Sequence, residues 1–280
     1  MGTLVTTDWL ASALDAPDVV VLDATAHLPT ADRDAREEFA AAHIPGARFL
    51  SLKTLIDPES EVPAALPTRA QFEARLASLG VANGQRIVLY DNSAMRTSAR
   101  AWFIFRLFGV QQFAVLDGGL HKWMAEGRPI EIGVTLIGEG DFTSSGGAGE
   151  VRSKADILAN LASGTEQVVD ARDAPRFRGD EPDFRPGIAS GHIPGSRNVP
   201  YDAVLAEDGT FRDPAGIRAA LEQAGVDLDR PITASCGSGV TASVLLLALH
   251  LIGKQGALYD GSWSEWGADP ALPVATGPAR

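Results

Sequence analysis

The chain has 280 residues, 45% of them hydrophobic and 21% charged, with a formal net charge of -12 and one cysteine. Such a length exceeds the usual single domain of roughly 100 to 200 residues, so two domains are expected, and the composition excludes a disordered or fibrous chain. The negative charge sets aside a nucleic-acid partner, a single cysteine excludes an internal disulfide, and no Cys/His cluster has the spacing of a zinc site.

The N-terminal stretch "MGTLVTTDWLASALDAPDVV" has no basic segment followed by an apolar one, and no run of 18 apolar residues occurs anywhere. No membrane association is expected, and the reading is a cytoplasmic protein in a reducing compartment. Next come "VVVLDAT" (19–25) and "RIVLYD" (86–91), short apolar runs ending in Asp, which suit buried parallel strands. Two helices are predicted between and after them: "RAQFEARLASLG", stopped by Gly80, and "TSARAWFIFRLFG", closed by Gly109. From 133 to 150 Gly, Ser and Thr accumulate and periodicity disappears, which reads as a linker. Strand and helix then alternate again through "EQVVDAR", "DPAGIRAALEQAG", "PITASC", "TASVLLLALHLIG" and "GALYDG". Alternation of this kind argues for an α/β fold with a parallel sheet covered on both faces.

The second half is a copy of the first. "AAHIPGARFL" (41–50) is answered by "SGHIPGSRNV" (190–199), and "VLDGGLHKW" (115–123) by "LYDGSWSEW" (258–266). Two blocks in the same order at nearly one offset indicate a duplicated domain. The division expected is 1–132, a linker 133–150, and 151–280. His43 and His192 of the repeated "HIPG" read as turn anchors, and Trp123, Trp263 and Trp266 as packing.

Cys236, the only cysteine, sits where the strand "PITAS" gives way to the helix "TASVLLLALHLIG". A lone cysteine is most often a core residue. Here, however, it lies at the carboxyl edge of a parallel sheet, where open α/β folds bind ligands, and the matching position in the first half is Asp91. Gly237 and Gly239 are expected to take positive φ and to keep side chains out of a bowl of backbone N–H groups. Such a bowl at a helix N-terminus favours a thiolate. Phosphatase chemistry would need an Arg where Ala242 stands, and a Cys/His hydrolase has few histidines to draw on. What remains is a thiolate able to accept sulfur and hold a persulfide.

These motifs, "CGSGVTA" (236–242), the paired "HIPG", "RFRGDEPDFRPGI" (176–188), "LDGGLHKW" and "YDGSWSEW", resemble the rhodanese superfamily over nearly the whole chain, and most closely its two-domain 3-mercaptopyruvate sulfurtransferases. The resemblance implies tandem rhodanese-like domains, each a five-stranded parallel sheet flanked by helices, the first inactive and the second catalytic. It implies Cys236 as nucleophile and Ser238 as a catalytic donor. Arg176 and Arg185 would grip the donor's carboxylate and keto oxygen, with Gly237, Gly239, Val240 and Thr241 lining the same site and Arg178 structural. No metal or organic cofactor is implied.

Thiosulfate sulfurtransferases of the family typically read Cys-Arg-Lys-Gly in this loop, whereas Gly237 and Ser238 carry no charge. A charge pair at 4 Å is worth about 4 kcal/mol at an effective dielectric near 20, so the loop favours a donor with less charge near its sulfur, such as 3-mercaptopyruvate. Thiosulfate as donor, and a non-enzymatic persulfide carrier, are the alternatives. The acceptor would be a thiol, cyanide or a thioredoxin-like protein. Where the family often has an Asp and a His supporting the loop serine, this chain has Lys53 and Ala64, which puts a Ser/His/Asp relay in doubt.

Overall fold

The computed structural model describes residues 1–134 and 137–279. Two compact units emerge: Met1–Pro58 with Leu66–Ala148 and Glu207–Thr210, and Glu59–Ala65 with Gly149–Ala206 and Phe211–Arg280.

In the first unit the chain runs β1 (Leu4–Val5), α1 (Thr7–Ala13), β2 (Val19–Asp23), α2 (Ala35–Ala41), β3 (Arg48–Phe49), α3 (Arg69–Ser78), β4 (Arg86–Tyr90), α4 (Ser98–Leu107), β5 (Phe113–Leu116) and α5 (Gly119–Ala125). The second repeats the plan with β6 (Glu150–Arg152), α6 (Lys154–Ser163), β7 (Gln167–Asp170), α7 (Ala174–Arg178), β8 (Arg197–Asn198), α8 (Pro214–Gln223), β9 (Ile232–Ser235), α9 (Ala242–Leu251), β10 (Ala257–Tyr259) and α10 (Ser262–Trp266). Each unit builds a five-stranded sheet, ordered β1-β5-β4-β2-β3 and β6-β10-β9-β7-β8. All pairings within them are parallel.

Local signals explain the helix boundaries. Thr68 and Gln71 form a reciprocal capping box at the start of α3, Ser153 and Asp156 do the same for α6, and Asp213 caps α8 ahead of Pro214. α9 is different: every residue from Ala242 to Leu249 is buried, so it lacks a polar face. A helix that is apolar all round belongs in a core, and each buried Leu or Val contributes about 1.5–3 kcal/mol. β9, fully buried, lies in the middle of its sheet with register Ile232↔Gln167, Thr233↔Ala257 and Ser235↔Asp170. The loop between β9 and α9 therefore hangs from two deeply buried elements.

The segment expected to be a linker is not loose along its described part. Thr135 and Leu136 lie outside the described residues. Beyond them, the backbone N–H groups of Gly140 and Ala148 donate to the carbonyls of Ala77 and Arg106. Phe142 is buried and meets Phe72 edge-on at 5.8 Å. One aromatic anchor is enough to dock a Gly/Ser-rich stretch against the first unit, and the last linker residue, Glu150, already opens β6.

The two units differ at the ends of equivalent strands. Asp170, ending β7, is paired with Arg172 at 2.6 Å with both side chains buried, and Arg172 lies 4.5 Å over the Trp263 ring. Asp23, ending β2, has Thr25 two residues on instead, and accepts its backbone N–H at 2.8 Å. Burial, only partly offset by hydrogen bonds from Thr25 and Tyr90, pushes the Asp23 carboxyl from 3.8 up to about 6. The fold thus keeps a proton that the unfolded chain has lost, so stability falls as pH rises from about 4 to 6 and is then level. Asp23→Asn is expected to raise the unfolding midpoint at pH 7.5, by up to about 3 kcal/mol in stability, and to leave it nearly unchanged at pH 4. Equal shifts at both pH values in thermal melts would refute this.

Candidate active site

The loop 236–241 turns from β9 into α9 with Cys236 at its base, 1% exposed. Its shape is fixed from outside, by the turn that opens α10. The Ser262 hydroxyl accepts the backbone N–H of Cys236 at 3.1 Å and that of Gly239 at 3.2 Å, and donates to the Tyr259 carbonyl at 2.8 Å. The next two amides continue the clamp: Trp263 N–H donates to the Cys236 carbonyl at 3.0 Å and Ser264 N–H to the Gly237 carbonyl at 2.9 Å. Ser243 on α9 holds the Gly239 carbonyl at 2.8 Å.

Ser262 takes amides from both ends of the first turn of the loop and so sets its radius. The N–H groups of Gly237, Ser238, Val240 and Thr241 find no acceptor among the described residues. These are the donors left for an anion. Gly239 has φ +75°, as expected of it. Gly237 does not; its φ is not positive, so the expectation of two left-handed glycines is corrected to one. An added Cβ at Gly237 would lie 3.6 Å from Arg176 Nη2 and 3.8 Å from Arg185 Nη2, so what sits over this glycine is a pair of guanidinium groups.

Both arginines are organised by Asp183, whose side chain is 2% exposed. Arg185 donates to it through Nε and Nη2 at 2.8 Å, and Arg176 reaches it at 3.3 Å. Burial alone would raise the Asp183 carboxyl, but the hydrogen bonds and charge of Arg185, with the charge of Arg176, outweigh it and hold it at about 2. Arg185 also donates to the Gly237 carbonyl at 3.1 Å, tying the cationic pair to the loop. Arg176 rides on α7, capped by Asp173, and its buried Nε has no hydrogen-bond partner among the described residues. Phe184 supports both guanidiniums at 5.4 and 5.2 Å. Arg178, by contrast, points to Asp180 at 2.6 Å on the exposed side.

Ser238 is half-buried, and its hydroxyl makes no hydrogen bond among the described residues. Val240 and Thr241 are half-buried at the mouth of the turn, and Thr241 precedes α9 without capping it. Lys53 is exposed, and Ala64 is exposed with φ +56°. The three tryptophans are buried, with their indole N–H groups on the Pro129, Ala189 and Pro273 carbonyls.

The first unit supplies an internal control. Asp91 follows β4 as Cys236 follows β9, and its carboxylate turns into its own loop, accepting the N–H groups of Ser93 and Ser98 at 2.8 Å each. This loop carries a built-in anion. Gly119 stands at the position of Ser262, with φ +57°, and a Cβ there would lie 2.4 Å from the Asp91 carbonyl oxygen. No hydroxyl fits. Ser262 adopts the same left-handed conformation, φ +49°, with a side chain, at a cost of roughly 1 kcal/mol or more.

Sequence reasoning missed Ser262 and Asp183. The first was visible as a Gly/Ser mismatch between the repeats, beside the Asp/Cys mismatch that singled out Cys236. The second lay inside "RFRGDEPDFR", where nothing marks one of three acidic residues as buried. Ser262→Ala and Ser262→Gly are both expected to lower the thermal unfolding midpoint, because two buried amides lose their acceptor, a loss of about 1–3 kcal/mol. The glycine variant should lose less, since it relieves the backbone. A wild-type midpoint in both would show that the hydroxyl does not hold the loop.

Comparison with known proteins places these features. The rhodanese-like domain matches twice, at residues 6–126 and 153–269. The chain is 40% identical to 3-mercaptopyruvate sulfurtransferase of Mus musculus over 270 residues, covering 94% of this chain and 91% of that one. It is 38% identical to the Escherichia coli K12 enzyme of the same name, covering 95% of each. It is also 39% identical to thiosulfate sulfurtransferase of Gallus gallus, covering 94% and 92%. The crystal structure of the E. coli 3-mercaptopyruvate enzyme SseA superposes with TM-score 0.84 at 36% identity, covering 95% of this chain and all of that one. Tum1 of Saccharomyces cerevisiae gives 0.89 at 27% identity over 99% of each chain. With both halves matched and near full-length relatives on either side, the chain belongs to the rhodanese family as a tandem of two rhodanese-like domains.

Proposed function

We propose that the chain is a sulfurtransferase that takes sulfur from 3-mercaptopyruvate onto Cys236. The observation that carries this is the loop itself: it begins at the one thiol, four of its N–H groups have no acceptor among the described residues, two arginines lie over Gly237, and no cation stands within the loop. In the first step the Cys236 thiolate attacks the donor sulfur. The sulfur–carbon bond breaks with its electron pair going to carbon, and the pyruvate enolate formed takes up the proton of the donor thiol. Persulfide anion and pyruvate result, with charge conserved. In the second step an acceptor thiolate or cyanide attacks the outer sulfur, the S–S bond breaks, and the thiolate returns.

Each group has a place in this scheme. Arg176 and Arg185 take the carboxylate and keto oxygen by charge-assisted hydrogen bonds. The amides of Gly237, Ser238, Val240 and Thr241 hold the persulfide charge. The Ser238 hydroxyl is free to donate to the enolate oxygen, and with Lys53 and Ala64 in place of a supporting Asp and His, the mobile proton is the donor's own or water's. The relatives named for 3-mercaptopyruvate support this donor; the one named for thiosulfate keeps the alternative in view. A reduced single thiol suits a cytoplasmic setting, and a thioredoxin-like dithiol is a suitable acceptor. No helix among the described residues is long and apolar enough to cross a membrane.

Steady-state turnover with 3-mercaptopyruvate and with thiosulfate, using cyanide as acceptor, tests the reading. We expect preference for 3-mercaptopyruvate and loss of both reactions in Cys236→Ser. Preference for thiosulfate would transfer the proposal to that donor, and a stable Cys236 persulfide without turnover would leave only a carrier. Arg176→Ala and Arg185→Ala should each raise KM for 3-mercaptopyruvate about 10- to 100-fold, the worth of one charged hydrogen bond. An unchanged KM in both would remove the arginines from the donor site.

A further inference from the structure

The two copies of the "HIPG" turn are built on one frame. In the first unit His43 pairs antiparallel with Glu131, their backbones exchanging hydrogen bonds at 3.0 and 2.8 Å. In the second His192 pairs with Ala275 at 2.8 and 2.9 Å. Each imidazole lies flat on a phenylalanine, His43 on Phe39 and His192 on Phe177, and each Nδ1 faces that residue's carbonyl, at 2.7 and 2.8 Å. A carbonyl only accepts, so Nδ1 carries the proton and Nε2 is the other, outward nitrogen.

What Nε2 meets differs. In the first unit the Glu131 carboxylate lies there: its Oε2 accepts the Gly46 N–H at 2.7 Å and stands 3.9 Å from His43 Nε2. In the second unit Ala275 occupies the place of Glu131 and brings no carboxylate. The matching donor, Gly195 N–H, has no acceptor among the described residues, and neither Nε2 nor any other atom of the 3% exposed His192 ring beyond Nδ1 has a hydrogen-bond partner there. A cavity of about 280 Å³ lies against this position, lined by His192, Gly195, Ala275, Thr276 and Pro278.

We propose that this cavity is a binding site for a small carboxylate, which accepts Gly195 N–H as the Glu131 side chain accepts Gly46 N–H in the first unit, and which closes on His192 Nε2, a nitrogen whose counterpart in His43 lies 3.9 Å from Glu131. The first unit fills the glycine N–H in cis with its own carboxylate, and the second copy keeps that donor and the imidazole beside it while lacking the carboxylate. The site is separate from the Cys236 loop and does not depend on the reaction proposed for it.

The charged groups around His192 decide its pH behaviour. Asp170 and Arg172, at the end of β7, face it and neutralise one another. α7 contributes Arg176 and Arg178, which pair with Asp183 and Asp180. The described part of the segment 274–278 carries no charge. Burial outweighs the Phe177 and Asp170 contributions and lowers the imidazole from its usual 6.5. At neutral pH Nε2 is thus a lone pair, and a carboxylate must bring a proton with it. Affinity is expected to rise about tenfold for each unit fall in pH above the midpoint of the free imidazole.

Acetate is the probe. The protein is labelled at histidine Cε1, the His192 signal among five histidines is assigned with His192→Gln, and its pH titration is followed by NMR with sodium acetate against sodium chloride at equal ionic strength. Acetate, and not chloride, is expected to shift the signal and to raise its midpoint. Ala275→Glu should abolish the acetate response and raise the midpoint by itself, and the neutral Ala275→Gln should abolish the response without raising it. Absence of an acetate response in the wild type overturns the proposal. So does an undiminished response in Ala275→Glu or Ala275→Gln, since the ligand would then lie elsewhere.

Discussion

The Ser262 hydroxyl is the contact on which the rest of the candidate site depends. A loop of six residues with several unpaired N–H groups has no reason to hold one shape, because its donors would be as well served by water. By drawing Cys236 N–H and Gly239 N–H to one oxygen, and passing its own proton to Tyr259, Ser262 removes two donors from circulation and fixes where the others point. The strained backbone of Ser262 is the local cost, and the fully buried β9 and α9 supply the rigid walls against which such strain is kept.

The duplication makes the second unit interpretable, since each of its distinctive positions has a counterpart under the same constraints. Asp91 answers Cys236, Gly119 answers Ser262, Thr25 answers Arg172 and Glu131 answers Ala275. In the first unit anionic side chains satisfy the donors of the loop and of the "HIPG" turn. In the second unit those internal anions are gone. The same backbone, unaltered in topology, passes from a self-satisfied structure to one that has donors to offer.

The sequence carried the large features in physical form. Apolar runs gave β2, β4, β9 and β10 because central parallel strands are buried on both faces, and α9 could be read because thirteen residues without a charge still ended in a glycine. Edge strands of two or three residues, β1, β3, β6 and β8, have no periodicity to read, and only the register with their neighbours defines them. α7 was hidden for a related reason: five residues are too few for a helical pattern, and the capping Asp173 and following Pro175 were the available signals. At the site, residue types pointed to Cys236 and to the arginines over Gly237. The burial of Asp183 between them was not legible, since it follows from a chain reversal that no local rule predicts. The left-handed conformation expected of Gly237 failed because close approach of the guanidiniums, and not backbone curvature, is what that position accommodates.

The depth of Cys236 has its own consequence. A thiol only 1% exposed is hidden from bulky oxidants and electrophiles, and no second thiol in the chain could trap it in a mixed bridge. On the proposed chemistry a transferred sulfur stands one bond farther out than the atom that received it. Loading therefore carries the reactive atom one bond away from the buried position of the resting thiol. The charged state advertises itself to an acceptor, while the resting state is sterically silent, and the distinction is made by the length of one S–S bond and by no moving part.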